Sequence, residues 1–262
     1  MTVVIFEPHA REFFSPEQAP ARLSSLREKL EQFRALGVER VHVCRFNSQF
    51  AQMSAADFMH ALHRDLHAKF VLIGDDFRFG KGRTGDFALM EKVAGEEHFA
   101  VRAMHSVLAE GVRVSSTGIR IALAAGQLEE ARHYLGVHYS MSGRVVHGDG
   151  MGRQLGFPTA NIRIKHNRPP LSGIYVVRAH AEGLGVLQGV ASLGVRPTVH
   201  SNGKPVLEAH LFEFDRQIYG RHLRVEFLQK IRDEARYPDL ESLTQQIALD
   251  VAHAKNWFEQ HD

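Results

Sequence analysis

A single cysteine, Cys44, in 262 residues leaves no internal disulfide to form and no thiolate cluster for a metal, and it fits a reducing cytoplasm. Excess charge of one sign is missing too. The 32 Lys and Arg against 30 Asp and Glu give a net +2, with the seventeen histidines neutral. That balance argues against a dedicated nucleic-acid or membrane binder. The longest apolar run near the start, Val3 to Phe6, is far too short for a signal peptide or a membrane span and has no basic segment before it. Neither a low-complexity tract nor a repeat of fixed period occurs, which sets aside disordered arms and solenoids. What is left is a globular composition, 44% hydrophobic and 24% charged, in a chain with room for one large domain or two ordinary ones.

Against that background residues 143–161, G-R-V-V-H-G-D-G-M-G-R-Q-L-G-F-P-T-A-N, stand apart. Gly148, Gly150, Gly152 and Gly156 free the backbone to turn N–H groups toward an anion such as a phosphate chain. Thr159 and Asn161 then offer oxygens of the hard kind that suits Mg²⁺ already carrying phosphates. A nucleoside triphosphate site is the first expectation. The bland alternative is that Thr159 and Asn161 are turn residues after Pro158.

The chain opens on a strand, residues 1–6, which Pro8 stops. Leu23, Leu26, Leu30 and Phe33 mark a helix face closed by Gly37, followed by a strand at 38–46. Ser54 caps a helix with Phe58, Leu62 and Leu66 inward, and strands at 70–73 and 99–104 follow. Such β-α-β-α-β alternation predicts a parallel sheet with ligands at the carboxyl ends of its strands. One such end, G-D-D-F-R-F-G-K-G-R-T-G-D at 74–86, is rich in glycine and charge but lacks Walker A spacing. Ser115, Ser116 and Thr117, with Arg120 a turn later, could bind phosphate at a helix N-terminus, although an ordinary N-cap reads the same way. A short helix at 127–135 ends at Gly136. From Ser142 the segments turn short and β-favouring, at 143–146, 173–179, 187–192, 207–214 and 223–228, as in an antiparallel sheet or barrel. Leu240, Leu243, Ile247, Val251, Ala254 and Phe258 then give a final amphipathic helix.

Eight motifs in order carry a resemblance: F-E-P-H at 6–9, G-D-D-F-R-F-G-K-G-R at 74–83, S-S-T-G-I-R at 115–120, G-F-P-T-A-N at 156–161, G-I-Y at 173–175, L-G-V-R-P-T at 193–198, L-E-A-H-L-F at 207–212 and Y-G-R at 219–221. With them the chain resembles, nearly end to end, the bacterial bifunctional riboflavin kinase/FAD synthetases. The resemblance implies an α/β plus β fold: an incomplete Rossmann-like nucleotidyltransferase domain at 1–138, then a six-stranded antiparallel β-barrel with a C-terminal helix at 139–262. It implies ATP phosphates under Gly148, Gly150, Gly152 and Arg153, Mg²⁺ held by Thr159 and Asn161, and Glu208 as catalytic base. Arg232, Glu234 and Tyr237 would close over the flavin, with Tyr237 replacing a usual phenylalanine. Asp75, Asp76, Phe77, Ser115, Ser116, Thr117 and Arg120 would be what remains of an adenylyltransferase site. Met151 stands where the family often has a basic residue. Taken singly, Glu208 is as ordinary as most strand carboxylates that face solvent.

The family begins earlier, with a strand and helix bearing G-x-F-D-G-x-H-x-G-H, and no H-x-G-H occurs among the seventeen histidines here. Met1 would lie inside the family's second strand. In the family's 3-2-1-4-5 order the first strand is central, so its neighbours would be left with unpaired edges. The expectation is therefore a chain missing an amino-terminal segment that phosphorylates riboflavin to FMN with Mg-ATP and makes little FAD. Its partners are expected to be small molecules, with no nucleic acid, membrane or obligate protein among them. A flavin- or nucleotide-binding module without turnover is the alternative. A single-strand-binding barrel is disfavoured by the balanced charge and by the lack of aromatics interleaved with basic residues.

Overall fold

The computed structural model describes residues 1–166, 168–195 and 205–261, so L-G-V-R-P-T at 193–198 lies partly outside the described residues. The chain forms two compact units, one of Met1–Pro20 with Arg34–Val114 and one of Ala21–Phe33 with Ser115–Asp262.

In the first unit β1 (Thr2–Glu7) leads to α1 (Ala10–Phe14) and, after α2 (Leu26–Ala35), to β2 (Arg40–Arg45), with β1 and β2 parallel. The short α3 (Ser48–Ala51) precedes α4 (Ala55–His60), whose N-cap is Ser54 as expected: its hydroxyl accepts from the Asp57 N–H at 3.0 Å. The helix runs on as a π-helical turn, Ala61–Asp65. Parallel strands β3 (Phe70–Gly74) and β4 (Ala100–Met104) flank a 3₁₀ turn at Lys81–Arg83 and α5 (Phe87–Glu97). A hairpin of β5 (Leu108–Ala109) and β6 (Val112–Arg113) ends the unit. The parallel strands expected from the alternation form two pairs, β1–β2 and β3–β4, with the break between them that the resemblance implied. Among the described residues no strand joins the pairs, so the ladders stop at β1 and β3. Phe58, Met59, Leu62, Val71, Phe79, Met90 and Phe99 form this unit's core.

The second unit adds α6 (Ser116–Ala124) and α7 (Leu128–Leu135), the latter ended by Gly136 at φ 73°, a left-handed stop that suits glycine. Then β7 (Ser140–Val146), α8 (Met151–Gln154), β8 (Ala160–Ile164), β9 (Gly173–Ala181), β10 (Gly185–Val195), β11 (Pro205–Leu211) and β12 (His222–Arg232) build a closed antiparallel barrel in the order β10-β11-β8-β7-β12-β9. The period of two decides what faces inward: Leu207, Ala209 and Leu211 on β11 and Leu223, Val225 and Phe227 on β12 enter one core with Ile162, Tyr175 and Leu193. The sixth strand, β8, is the one the β-favouring runs did not mark. Helix α9 (Leu240–His261) lays Ala254 and Phe258 on the barrel's outside against Val176, Val190 and Leu228.

The compact units are not separated by a single point in the sequence. Ile119, Ala122, Leu123, Leu128 and Ala131, from α6 and α7, share the barrel's core. Residues 21–33 join it through Glu28, which is 5% exposed. Its carboxylate accepts from the Ser25 N–H at 2.6 Å, closing a capping box on α2, and from the Ser142 N–H of β7, also at 2.6 Å. The Ser142 hydroxyl adds a bond at 3.2 Å, and the His166 Nε2, on a ring only 2% exposed, lies 3.3 Å away. Tyr139 donates to the Leu23 carbonyl at 3.0 Å on the same side. A buried charge is tolerable only with such partners.

Burial holds the His166 imidazole below its ordinary pKa, with Glu28 pulling the other way. His138 and His222 are lowered for the same leading reason. A lowered folded-state pKa means that the unfolded chain takes up protons first, so stability stands in full above about 6.5 and falls as the pH drops toward the folded values. Thermal melts are expected to lose several degrees between pH 7.5 and 5.5, and His166→Asn should flatten part of that slope.

Candidate active site

The parts singled out around the glycine stretch meet on the outer face of the barrel. Leu207 and Ile162 pair across β11 and β8 and point into the core, so the next pair, Glu208 opposite Asn161, points outward. Directly opposed side chains of this kind start from Cβ atoms about 5 Å apart. Asn161 itself follows Thr159 by two positions, where the chain leaves Pro158 and enters β8. On its other side Glu208 pairs with Ser192 of β10.

The glycine loop lies directly on these residues. A Cβ at Gly148 would run into the Asn161 carboxamide, and one at Gly152 would sit 2.5 Å from the Phe157 carbonyl oxygen and 3.2 Å from the Thr159 Oγ1. Glycine is needed there for close approach, while Gly150, at φ 73°, supplies a left-handed turn. The Phe157 N–H donates to the Gly152 carbonyl at 2.7 Å and closes the loop behind Arg153. At its entry the His147 ring stacks on Tyr219 with centroids 3.9 Å apart. The neighbouring turn is strapped to β7 by Gly220 N–H to the Val145 carbonyl, 2.9 Å, and by Arg144 to the Gly220 carbonyl, also 2.9 Å. A cavity of about 370 Å³ opens here, lined by Arg153, Thr159, Phe214, Gln217 and Tyr219 among others.

The donor set suits a hard cation that brings its own ligands. Thr159 and Asn161 supply two neutral oxygens, and no group of three or more His, Cys, Asp or Glu poised for a metal occurs among the described residues. Two uncharged oxygens under a phosphate-sized loop fit Mg²⁺ bound mainly through phosphates, not a metal held by protein alone.

Arg232, Glu234 and Tyr237 are also gathered here, each in its own way. The Glu234 carboxylate lies directly over Gly194, where a side chain could be added only if the carboxylate moved away. Burial pushes its pKa up, Arg232 pulls it down, and Glu208 pushes it up again. The Arg232 guanidinium is already engaged. It donates to both Asp250 oxygens, 2.9 Å from Nε and 2.6 Å from Nη2, and its Cζ lies 5.8 Å from the Tyr237 ring centroid. Nothing in the sequence pointed to Asp250, because it occupies a helix position eighteen residues on.

The proposed adenylyltransferase remnants fall in two different units. Asp76 is exposed and 3.4 Å from Arg113, Asp75 is exposed beside it, and Phe77 stacks on Phe79 at 5.6 Å. Ser115, in the barrel unit, is the N-cap of α6, its Oγ accepting from the Gly118 N–H at 3.1 Å, with Ser116 and Thr117 in the first turn. Arg120 donates to the Ala21 carbonyl at 2.6 Å and the Ser116 carbonyl at 3.0 Å, so that the chain's own carbonyls occupy this guanidinium.

Asp76 and Phe77 line a second cleft, of about 720 Å³, in the first unit, whose aromatic wall sequence reasoning did not foresee. It adjoins a chain of ring contacts through Phe14, Phe13, Phe46, Phe50, Phe6, Phe58, Phe79 and Phe77. His9, Arg11, Arg78 and Arg83 join several of these rings in its walls. The available signal was E-F-F at 12–14 and D-F-R-F at 76–79, where aromatic residues alternate with charge outside any strand.

Two family descriptions divide the chain. Riboflavin kinase matches residues 135–258 and FAD synthetase matches residues 1–118, so the class is one that joins a kinase barrel to a nucleotidyltransferase-type α/β unit. The bifunctional riboflavin kinase/FMN adenylyltransferase of Escherichia coli K12 is 43% identical over 257 residues, which is 98% of this chain and 82% of that protein. The enzyme of the same name from Pseudomonas fluorescens is 44% identical over 254 residues, 97% of this chain and 81% of that protein. A crystal structure described as a macrolide-efflux protein from Streptococcus pneumoniae superposes with a TM-score of 0.77 at 28% identity, over 98% of this chain and 83% of that one. The chain belongs to the family of bifunctional riboflavin kinase/FMN adenylyltransferases.

Gly152→Ala is expected to push the loop off Thr159 and weaken Mg-ATP binding about tenfold by calorimetry, since small displacements in a positioned site are expensive. The melting temperature should change little, because the loop lies outside the barrel core.

Proposed function

We propose that the chain transfers the γ-phosphoryl group of ATP to the terminal ribityl hydroxyl of riboflavin, giving FMN and ADP, at the site around Glu208. The observation that carries this reading is the cross-strand pair of Glu208 with Asn161 beneath a loop whose glycines rest on Asn161 and Thr159. Glu208 accepts the hydroxyl proton as the new O–P bond forms and the bond to the β-phosphate bridging oxygen breaks. Loop N–H groups and Arg153 hold the phosphates and stabilise charge on the transferring group. Thr159 and Asn161 would hold Mg²⁺, which when bound neutralises phosphate charge. Glu234 and Tyr237 flank the flavin side. Functionally we divide the chain at 138/139, with the kinase after it.

The aromatic cleft of the first unit supports a second reading within the same chemistry. Clustered phenylalanines, with Phe77 stacked on Phe79, suit a flat isoalloxazine ring, and Arg11, Arg78 and Arg83 suit the phosphate of FMN. Product binding there is compatible with a weak adenylyl transfer, since the sequence has no H-x-G-H pair to stabilise the α-phosphate. The single cysteine fits a cytoplasmic setting, and no helix of the described residues is long and apolar enough to cross a membrane.

Incubation with riboflavin and Mg-ATP should give FMN by chromatography, and a protein that binds both without turnover would overturn the reading. Glu208→Gln is expected to lower turnover by about 10²–10⁴-fold, the usual worth of a positioned base. Riboflavin affinity in that variant should stay near that of the parent, and near-normal turnover would remove Glu208 from the role. From FMN and ATP the chain should yield FAD far more slowly than it yields FMN from riboflavin.

A further inference from the structure

Helix α9 reaches the site through one buried ion pair. Asp250 is 4% exposed, and its two oxygens take the Nε–H and Nη2–H of Arg232 in a fork, at 2.9 and 2.6 Å, while the Gln246 amide donates to Oδ1 at 3.0 Å. The third face of the same guanidinium is used as well, with Nη1 donating to the Asp233 carbonyl at 3.0 Å and Cζ standing over the Tyr237 ring. Arg232 is the last residue of β12, and residues 233–239 that follow have no regular secondary structure. The segment is therefore shaped by its contacts, among them Arg232 to the Asp233 carbonyl, Lys230 to the Asp233 side chain at 2.5 Å, Glu234 over Gly194, and Tyr237 under Arg232.

A planar guanidinium with one bidentate partner has its orientation fixed, and a lysine or an unpaired arginine does not. Asp250 sets the plane of Arg232, and that plane sets where the Asp233 carbonyl and the Tyr237 ring can lie. Glu234 sits between those two points, with its carboxylate over the strand that carries Ser192 opposite Glu208. Helix α9 also meets the barrel through apolar side chains such as Ala254 and Phe258, whose attraction has no directional preference, and through exposed contacts of His253 with Gln229 at 3.3 Å and of Lys255 with the Phe212 ring, but among these contacts only the Asp250 pair is buried and bidentate.

We propose that Asp250 is a positioning residue for the kinase reaction: through Arg232 it fixes the Glu234 to Tyr237 segment that forms the riboflavin side of the site. The inference rests on the kinase reading above. It gives α9 a role in recognising the flavin and none in binding ATP, whose loop hangs from β7 and β8 on the other side of Glu208. Arg232 then acts as the hub of this wall, with its donors committed to protein.

Steady-state kinetics of Asp250→Asn, which keeps the shape and removes the charge, should show the riboflavin KM raised about tenfold, with the ATP KM within about twofold of the parent and kcat nearly unchanged. Arg232→Lys should give the same split, and the double variant should be no worse than either single one, because both break one unit. Asp250→Glu, which restores the carboxylate, should recover part of the riboflavin KM and serves as the test if Asp250→Asn does not fold. A fall in melting temperature with both KM values unchanged, or with both raised in step, would overturn the proposal and leave Asp250 a packing residue. Wild-type FMN formation and the Glu208→Gln variant test the kinase reading separately, so an active kinase whose riboflavin KM ignores Asp250 overturns this inference alone.

Discussion

The register between β8 and β11 is the constraint on which the site depends. Leu207 opposite Ile162 buries one face of the pair, and the alternation of strands then compels Glu208 and Asn161 to share the other. A slip by one residue would exchange the faces, driving a carboxylate into the core and presenting leucine to the phosphate loop. The geometry of the proposed site is therefore held by the same apolar contacts that close the barrel. The glycine loop needs only to fold back on a surface already fixed, and the absence of side chains at Gly148 and Gly152 is what lets it do so.

Much of this was legible in the sequence, and the reasons differ from residue to residue. Gly148, Gly150 and Gly152 were readable because clustered glycine has few uses in a core. Ser54 and Gly136 were readable because a cap is a local interaction. Strand β8 was obscured by its own function: P-T-A-N opens it like a turn, and only Ile162 is fully buried. In the first unit alternation predicts parallel strands without saying which of them touch, and the break between the two pairs was legible only through the resemblance, which placed a central strand where this sequence has none. Arg232 was legible through the resemblance alone, and the carboxylate that fixes its guanidinium, Asp250, is a partner that pattern could not supply. The phenylalanine chain escaped notice because its members come from β1, α1, α3, α4 and two loops, and no periodicity links them.

Electrostatics in the barrel unit follows one rule at two places. Glu28 and Asp250 are both carboxylates at or below 5% exposure, and each accepts from a residue of a distant strand, Ser142 of β7 and Arg232 of β12, as well as from its own neighbourhood. Neither stabilises by charge alone, since desolvation offsets most of the attraction. Their effect is to fix orientation: Glu28 ties α2 to β7, and Asp250 ties β12 to α9. Directional contacts of this kind define a single docking geometry where apolar surfaces alone would allow several.

The Glu28 clasp also bears on how the polypeptide is made. Its partner Ser142 lies 114 residues further along, so α2 emerges from the ribosome long before the strand that completes its burial exists. Throughout that interval the helix has only local contacts to hold it, such as its capping box and the Arg27–Glu31 pair. Long-range closures of this kind slow folding and leave intermediates open to wrong partners. Because residues 21–33 belong with the barrel while 34–114 do not, no single cut of the chain yields either unit whole. A fragment starting at the barrel's first strand would retain every residue of the proposed kinase site and yet leave Ser142 and His166 without the carboxylate around which they are packed.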